Sequence, residues 1–102
     1  MKHLLTTALA LSLGMAAGMA QAADKVSLQL IWVTQSQFAG YNGAKDKGFY
    51  DAEGLDVDIK PGGPDVAPAQ VLAGGGADVM IDWMPSALAS REKGLPLVNI
   101  AQ

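Results

Sequence analysis

The sequence predicts an α/β fold in which helices cover both faces of a parallel β-sheet. Segments with the apolar or alternating pattern of β-strands occur at residues 26–33, 55–60, 77–81 and 95–101. Segments with helical spacing separate these strands, and glycines lie where each helix should end. Strands that alternate with short helices form parallel sheets with right-handed crossovers, so the expected order is βαβαβαβ.

The N-terminal segment has the three parts of a secretory signal peptide. Lys2 and His3 form a basic start, residues 4–23 are uncharged, and an A-x-A exit occupies residues 20–22. We therefore expect cleavage after Ala22 and export of the mature chain. An uncleaved anchor is the alternative, because about 20 apolar residues can span a bilayer. The polar residues and glycines within the segment favour the signal peptide.

Composition argues against several classes of function. The formal net charge is −3, which provides no electrostatic reason to bind nucleic acid or an anionic membrane. The chain has no cysteine, and its one histidine, His3, lies in the predicted signal peptide. The mature chain therefore lacks the side chains of a thiolate or histidine-assisted nucleophile and of a sulfur metal site. We predict a protein that is not an enzyme and that carries no metal or cofactor.

The first half of the mature chain predicts a strand, a helix and a second strand. Residues 26–33 are mostly apolar and end in a continuous apolar run, which is typical of a strand in a sheet covered on both faces. A helical pattern begins at Phe38, with Ser36 as its predicted cap. Residues 55–60 alternate apolar and charged side chains, which is the period of a half-buried strand.

The second half predicts two further helices and two further strands. Asp65 is the expected cap of a helix over residues 66–73, which a run of glycines ends. Residues 77–81 form a short, apolar strand. Pro85 lies where a first helical residue is expected, since that position requires no intrahelical donor. The last predicted strand covers residues 95–101.

Three segments carry a family resemblance: LQLIWVTQSQFAGYNGAKD, KGFYDAEGLDV and PGGPDVAPAQVLAGGGADVMIDWMPSALASREKGLPLVNIAQ. From Lys25 onward, the chain resembles the first part of periplasmic substrate-binding proteins for nitrate, sulfonate, taurine and thiamine-pyrimidine ligands. That family also contains fungal-type thiamine-pyrimidine synthases. The elements G-[FY]-[FY]-x-x-x-G-L-x-V and GGGADV are specific for the family and not for the ligand. The resemblance implies that residues 23–102 form a partial N-terminal lobe, lobe 1 of a type II periplasmic-binding-protein fold.

The resemblance also implies a function. The full-length protein would be the solute-binding component of an ABC importer, which holds a small solute between two lobes and presents it to a permease in the inner membrane. We expect a periplasmic protein that is monomeric when full length and binds no nucleic acid. Because the resemblance places the end of the chain inside the first lobe, we expect a fragment. A synthase-like enzyme on the same fold and a truncated product without function are the alternatives.

Candidate ligand-binding residues lie in or beside the loops after the predicted strands, because ligands of such sheets bind outside the carboxyl ends of the strands. The resemblance implies that the first of these loops and the helix after it border the ligand, which supports Gln35, Gln37 and Phe38. These loops offer carboxylates and aromatic side chains without lysine or arginine. This combination favours a neutral or cationic heteroaromatic solute, such as a thiamine-precursor pyrimidine, over nitrate, sulfonate or taurine. The candidate residues are Trp32, Gln35, Gln37, Phe38, Gly63, Asp65, Asp82 and Trp83.

Structural roles remain open for five of these candidates. Asp82 could cap the helix that follows it instead of binding a ligand, and Trp83 could be half-buried packing. Trp32 shares a face with the apolar residues of its strand and could pack in the core. Gly63 and Asp65 could form a plain turn and helix cap, since the segment lacks the lysine of a phosphate loop.

Overall fold

The computed structural model describes residues 21–102. The predicted signal peptide, residues 1–22, lies outside this range except for Gln21 and Ala22. The signal peptide and the domain boundary after Ala22 therefore stay predictions. Within the described range, the structure has no helix that is long and apolar enough to cross a membrane.

The described part of the chain alternates strands and helices, which confirms the predicted parallel α/β class. The strands are β1 (Asp24–Gln29), β2 (Leu55–Lys60) and β3 (Val79–Met80). The helices are α1 (Ala39–Asp46), α2 (Phe49–Ala52), α3 (Pro68–Ala73) and α4 (Met84–Glu92). A 3₁₀ turn over Ser36–Phe38 leads into α1.

The central strand of the sheet is β1, and the strand order is β2-β1-β3 with every pair parallel. Val26 pairs with Val57, and Leu28 pairs with Ile59 on one side and Val79 on the other. The connection from β1 to β2 and the connection from β2 to β3 run in opposite directions across the sheet. Right-handed crossovers therefore place α1 and α2 on one face and α3 on the other.

The core lies between the apolar face of the sheet and the first helical segment. Its buried side chains are Leu28, Leu30, Phe38 and Val57. Tyr41 of α1 and Tyr50 of α2 are among the partly buried residues that pack against this cluster. The amino group of Lys45 donates a hydrogen bond to the carbonyl of Val57, which ties α1 to β2.

The first and third strands have different bounds from those predicted. The strand predicted over residues 26–33 covers Asp24–Gln29, and the one predicted over 77–81 covers Val79–Met80. Trp32 has a φ of 61°, in the left-handed region. A residue in that region cannot continue an extended strand, so the apolar run after Leu30 turns away from the sheet.

The prediction of a fourth strand over residues 95–101 is wrong. The backbone N–H of Leu97 donates to the carbonyl of Leu95 at 2.9 Å, a three-residue bond of the γ-turn type that curls the chain locally. Among the described residues, no strand pairs with this segment. Val98 and Ile100 are 81% and 75% exposed, so the apolar side chains of this segment are not buried against the sheet.

Both predicted helix caps are also wrong. Ser36 is the first residue of the 3₁₀ turn, and the N-cap position of α1 belongs to Phe38, which makes no side-chain cap bond. Asp65 lies in an exposed turn, whereas the N-cap position of α3 belongs to Ala67. The helix begins at Pro68 because proline has a preset φ and needs no backbone donor in the first turn.

Ser27 and Asp78 join β1 to the segment that leads into β3. The backbone N–H and the hydroxyl of Ser27 both donate to Oδ2 of Asp78, each at 2.8 Å. The backbone N–H of Asp78 donates in return to the Ser27 carbonyl at 3.0 Å. The two bonds from Ser27, helped by the charge of Lys60, hold the pKa of the Asp78 carboxyl below its usual value.

Protonation of Asp78 should destabilise the fold. The pKa of Asp78 is lower in the folded state than in the unfolded state. The ionised carboxylate therefore stabilises the fold above the usual aspartate pKa of about 3.9, and this stabilisation is lost as the pH falls through the pKa of the folded state. We expect Asp78→Asn to lower Tm at neutral pH and to flatten the acid part of the pH profile. Thermal unfolding followed by circular dichroism measures both effects.

Asp65→Asn provides the matched control, because Asp65 lies in an exposed turn. This variant should retain the acid dependence of the wild type. Identical pH profiles of Tm for the wild type and Asp78→Asn would contradict the stabilising role of the Asp78 carboxylate.

Candidate functional site

A cleft of about 360 Å³ opens where β1 and β3 end. Its volume falls within the range of roughly 300–1,000 Å³ that is usual for small-molecule sites. The carboxyl ends of parallel strands are also where α/β sheets bind ligands. The cleft is lined by Ile31, Gln37, Phe38, Tyr41, Ile81, Asp82 and Trp83.

Apolar and aromatic side chains form most of the cleft lining. Phe38 and Tyr41 are three residues apart and therefore share one face of the helical segment. Their ring centroids lie 6.5 Å apart with an interplanar angle of 42°. Phe38 is buried and Tyr41 is half-buried, so both rings belong to the core as well as to the cleft. Such a lining suits a flat, largely apolar ring.

Asp82 is the one charged side chain among the described residues that line the cleft. The carboxylate of Asp82 accepts two hydrogen bonds. The backbone N–H of Trp83 donates to Oδ1 of Asp82 at 2.8 Å, and the hydroxyl of Ser86 donates to Oδ2 at 3.0 Å. A carboxylate has about four acceptor positions, so each oxygen can accept a further hydrogen bond. Within residues 21–102, no group of three or more acidic or histidine side chains could hold a metal ion.

Of two exposed tryptophans, one lines the cleft and the other does not. Trp83 is 63% exposed and contributes to the lining. Trp32 is 49% exposed and follows directly after the lining residue Ile31, but its own side chain is not part of the lining. The positive φ of Trp32 is a backbone conformation that costs free energy for a residue with a side chain. Such strained residues concentrate at functional sites.

The loop after β2 supports the loop after β1 through backbone contacts. A Cβ atom on Gly62 would lie 2.4 Å from the carbonyl oxygen of Trp32 and 2.7 Å from that of Leu30. Only glycine allows this approach. The side-chain amide of Gln29, which is buried, donates to the carbonyls of Leu30 at 2.9 Å and Pro61 at 3.1 Å. These contacts hold the two loops together beside the cleft.

The structure brings half of the predicted site residues together. Those in the cleft lining are Gln37, Phe38, Asp82 and Trp83. Those outside the lining are Trp32, Gln35, Gly63 and Asp65. The lining also includes three residues that are not among the predicted candidates: Ile31, Tyr41 and Ile81. The helical spacing of Tyr41 from Phe38 could have indicated its position beside the cleft. Ligand binding by any of these residues stays a prediction.

Comparison with known proteins places the sequence in a family. The family model described as NMT1/THI5 like matches residues 35–102, which confirms the resemblance found in the sequence. The chain is 32% identical to the formylaminopyrimidine-binding protein of Halalkalibacterium halodurans over 82 residues, which cover 79% of this chain and 24% of that protein.

A second relative comes from Haemophilus influenzae and is named for thiamine biosynthesis. The identity is 28% over 79 residues, which cover 78% of this chain and 25% of that protein. The chain thus spans about a quarter of the length of these two relatives. No solved structure matches the chain.

Substitution of Gly62 tests the close contact between the two loops. We expect Gly62→Ala to lower the free energy of unfolding by about 1–3 kcal/mol. The methyl group of the new alanine would overlap backbone atoms that cannot move independently. Gly63→Ala is the matched control, since the nearest atom to its Cβ would be Cγ2 of Val66 at 3.7 Å. Urea denaturation of both variants measures the difference. An equal loss of stability in the two variants would contradict the contact.

Proposed function

Because the chain belongs to the NMT1/THI5-like family, we propose that it forms part of the solute-binding component of an ABC importer. The proposed solute is a small heteroaromatic ring of the thiamine-precursor pyrimidine type. One observation carries the proposal: a cleft at the carboxyl ends of the strands combines aromatic side chains with a single carboxylate.

The shape and chemistry of the cleft suit an aminopyrimidine. Tyr41 and Trp83 offer aromatic surface against which a flat ring can stack or pack edge to face, and the buried Phe38 lies beside them in the lining. Asp82 offers acceptor positions for the amino group of such a ring. A hydrogen bond to an ionised carboxylate is stronger than one between neutral groups, so Asp82 would orient the ring as well as bind it.

The charge in the cleft disfavours the other ligands of the resembled family. Among the described lining residues there is no lysine or arginine, and Asp82 carries a negative charge when ionised. An oxyanion such as nitrate or a sulfonate would be repelled by that charge. The repulsion between two unit charges at 4 Å is about 1 kcal/mol in water and rises several-fold near protein.

The names of the relatives support the same ligand class. One relative is named as a formylaminopyrimidine-binding protein, and the other is named for thiamine biosynthesis. A name that describes binding also favours a binding role over a synthase-like reaction for this chain. The predicted signal peptide is the support for export to the periplasm, where the protein would deliver its solute to a permease in the inner membrane.

Calorimetric titration of the full gene product tests the proposal. We expect an aminopyrimidine to bind, and nitrate and sulfonates to bind weakly or not at all. Asp82→Ala should weaken aminopyrimidine binding by about 1–3 kcal/mol, the contribution of one charge-assisted hydrogen bond.

Asp51→Ala is the matched control, since Asp51 is exposed on α2 and lies outside the cleft lining, and its loss should leave the affinity unchanged. An unchanged affinity in Asp82→Ala would show that Asp82 makes no hydrogen bond to the solute and bonds only to Trp83 and Ser86. Tighter binding of a sulfonate than of an aminopyrimidine would refute the proposed ligand class.

A further inference from the structure

We propose that Ser86 is a positioning residue that determines how well the cleft distinguishes rings with an amino group from rings without one. Ser86 lies in the first turn of α4 and donates its hydroxyl to Oδ2 of Asp82 at 3.0 Å. It is not part of the cleft lining, so it would act through Asp82. The inference rests on the proposed function, because it assumes that Asp82 accepts a hydrogen bond from the solute.

Two donors hold the carboxylate of Asp82 through its two different oxygens. The backbone N–H of Trp83 bonds Oδ1, and the Ser86 hydroxyl bonds Oδ2. One bond alone would leave the carboxylate plane free to turn, because the terminal torsion of aspartate has broad energy minima. Two bonds on different oxygens define the plane and therefore the directions of the remaining lone pairs. Such supporting hydrogen bonds keep a binding group in its productive geometry.

The bond from Ser86 is not needed to begin α4. The N-cap residue of this helix is Trp83, which makes no side-chain cap bond, and Pro85 occupies a position in the first turn. Proline at that position favours the start of a helix by itself. The link between Ser86 and Asp82 therefore serves the orientation of the carboxylate more than the formation of the helix.

The orientation of Asp82 matters for one part of the solute only. Packing of a ring against the aromatic lining depends on contact area and is not sensitive to the carboxylate plane. A hydrogen bond from an exocyclic amino group does depend on it, since hydrogen bonds prefer angles above about 150° and weaken steeply below about 120°. Loss of the Ser86 hydroxyl should reduce the preference for the amino group and spare the packing.

The test compares the affinities of 4-aminopyrimidine and pyrimidine for the full gene product, measured by calorimetry. We expect the wild type to prefer 4-aminopyrimidine. In Ser86→Ala the ratio of the two affinities should fall roughly three- to tenfold, the size of one ordinary hydrogen bond. Ser86→Thr keeps the hydroxyl and should restore the ratio. Ser90→Ala, one turn farther along α4, is the matched control and should retain the wild-type ratio.

The outcomes separate this inference from the proposed function. A wild type without preference for the amino group would overturn both. A wild type with that preference whose ratio stays unchanged in Ser86→Ala would overturn the positioning role alone. An equal loss of affinity for the two rings in Ser86→Ala would also overturn it, because a general structural defect affects both solutes alike.

Discussion

β1 pairs in parallel with strands on both sides, and the location of the cleft follows from that pairing. Its register aligns Leu28 with Ile59 of β2 and Val79 of β3. The pairing brings Ser27 to Asp78, 51 positions away in the sequence. Because all three described strands point the same way, the chain leaves β1 and β3 at one edge of the sheet. Residues from the segments 31–41 and 81–83 thus become neighbours and line the cleft.

The end of β1 shows how backbone constraints shape this edge. The chain leaves the sheet after Leu30, whose N–H still donates to the carbonyl of Lys60 at 2.9 Å. The buried amide of Gln29 bonds to carbonyls of both loops, so a polar group inside the fold keeps its hydrogen bonds. Trp32 then takes a positive φ against Gly62. A strained conformation of this kind persists only where the surrounding contacts require it.

The proposed function needs few special features beyond this arrangement. The core supports the aromatic side of the cleft, since Phe38 is 3% exposed and packs against the sheet. One carboxylate, held by its own local hydrogen bonds, provides polarity at a defined point. An apolar pocket with a small number of placed polar groups is the usual composition of a small-molecule site. Orientation, more than the number of contacts, would distinguish related rings.

Elements whose pattern is local could be predicted from the residues alone. Alternation predicted β2 over Leu55–Lys60 with its correct bounds. Gly48 and Gly54, which lie near helix ends, have positive φ values of 72° and 75°. Long-range contacts set where β1 ends, that residues 95–101 form no strand among the described residues, and which loop side chains line the cleft. The physical reason is that periodicity reports which face of a segment is apolar, whereas strand pairing and loop direction depend on partners far away in the sequence.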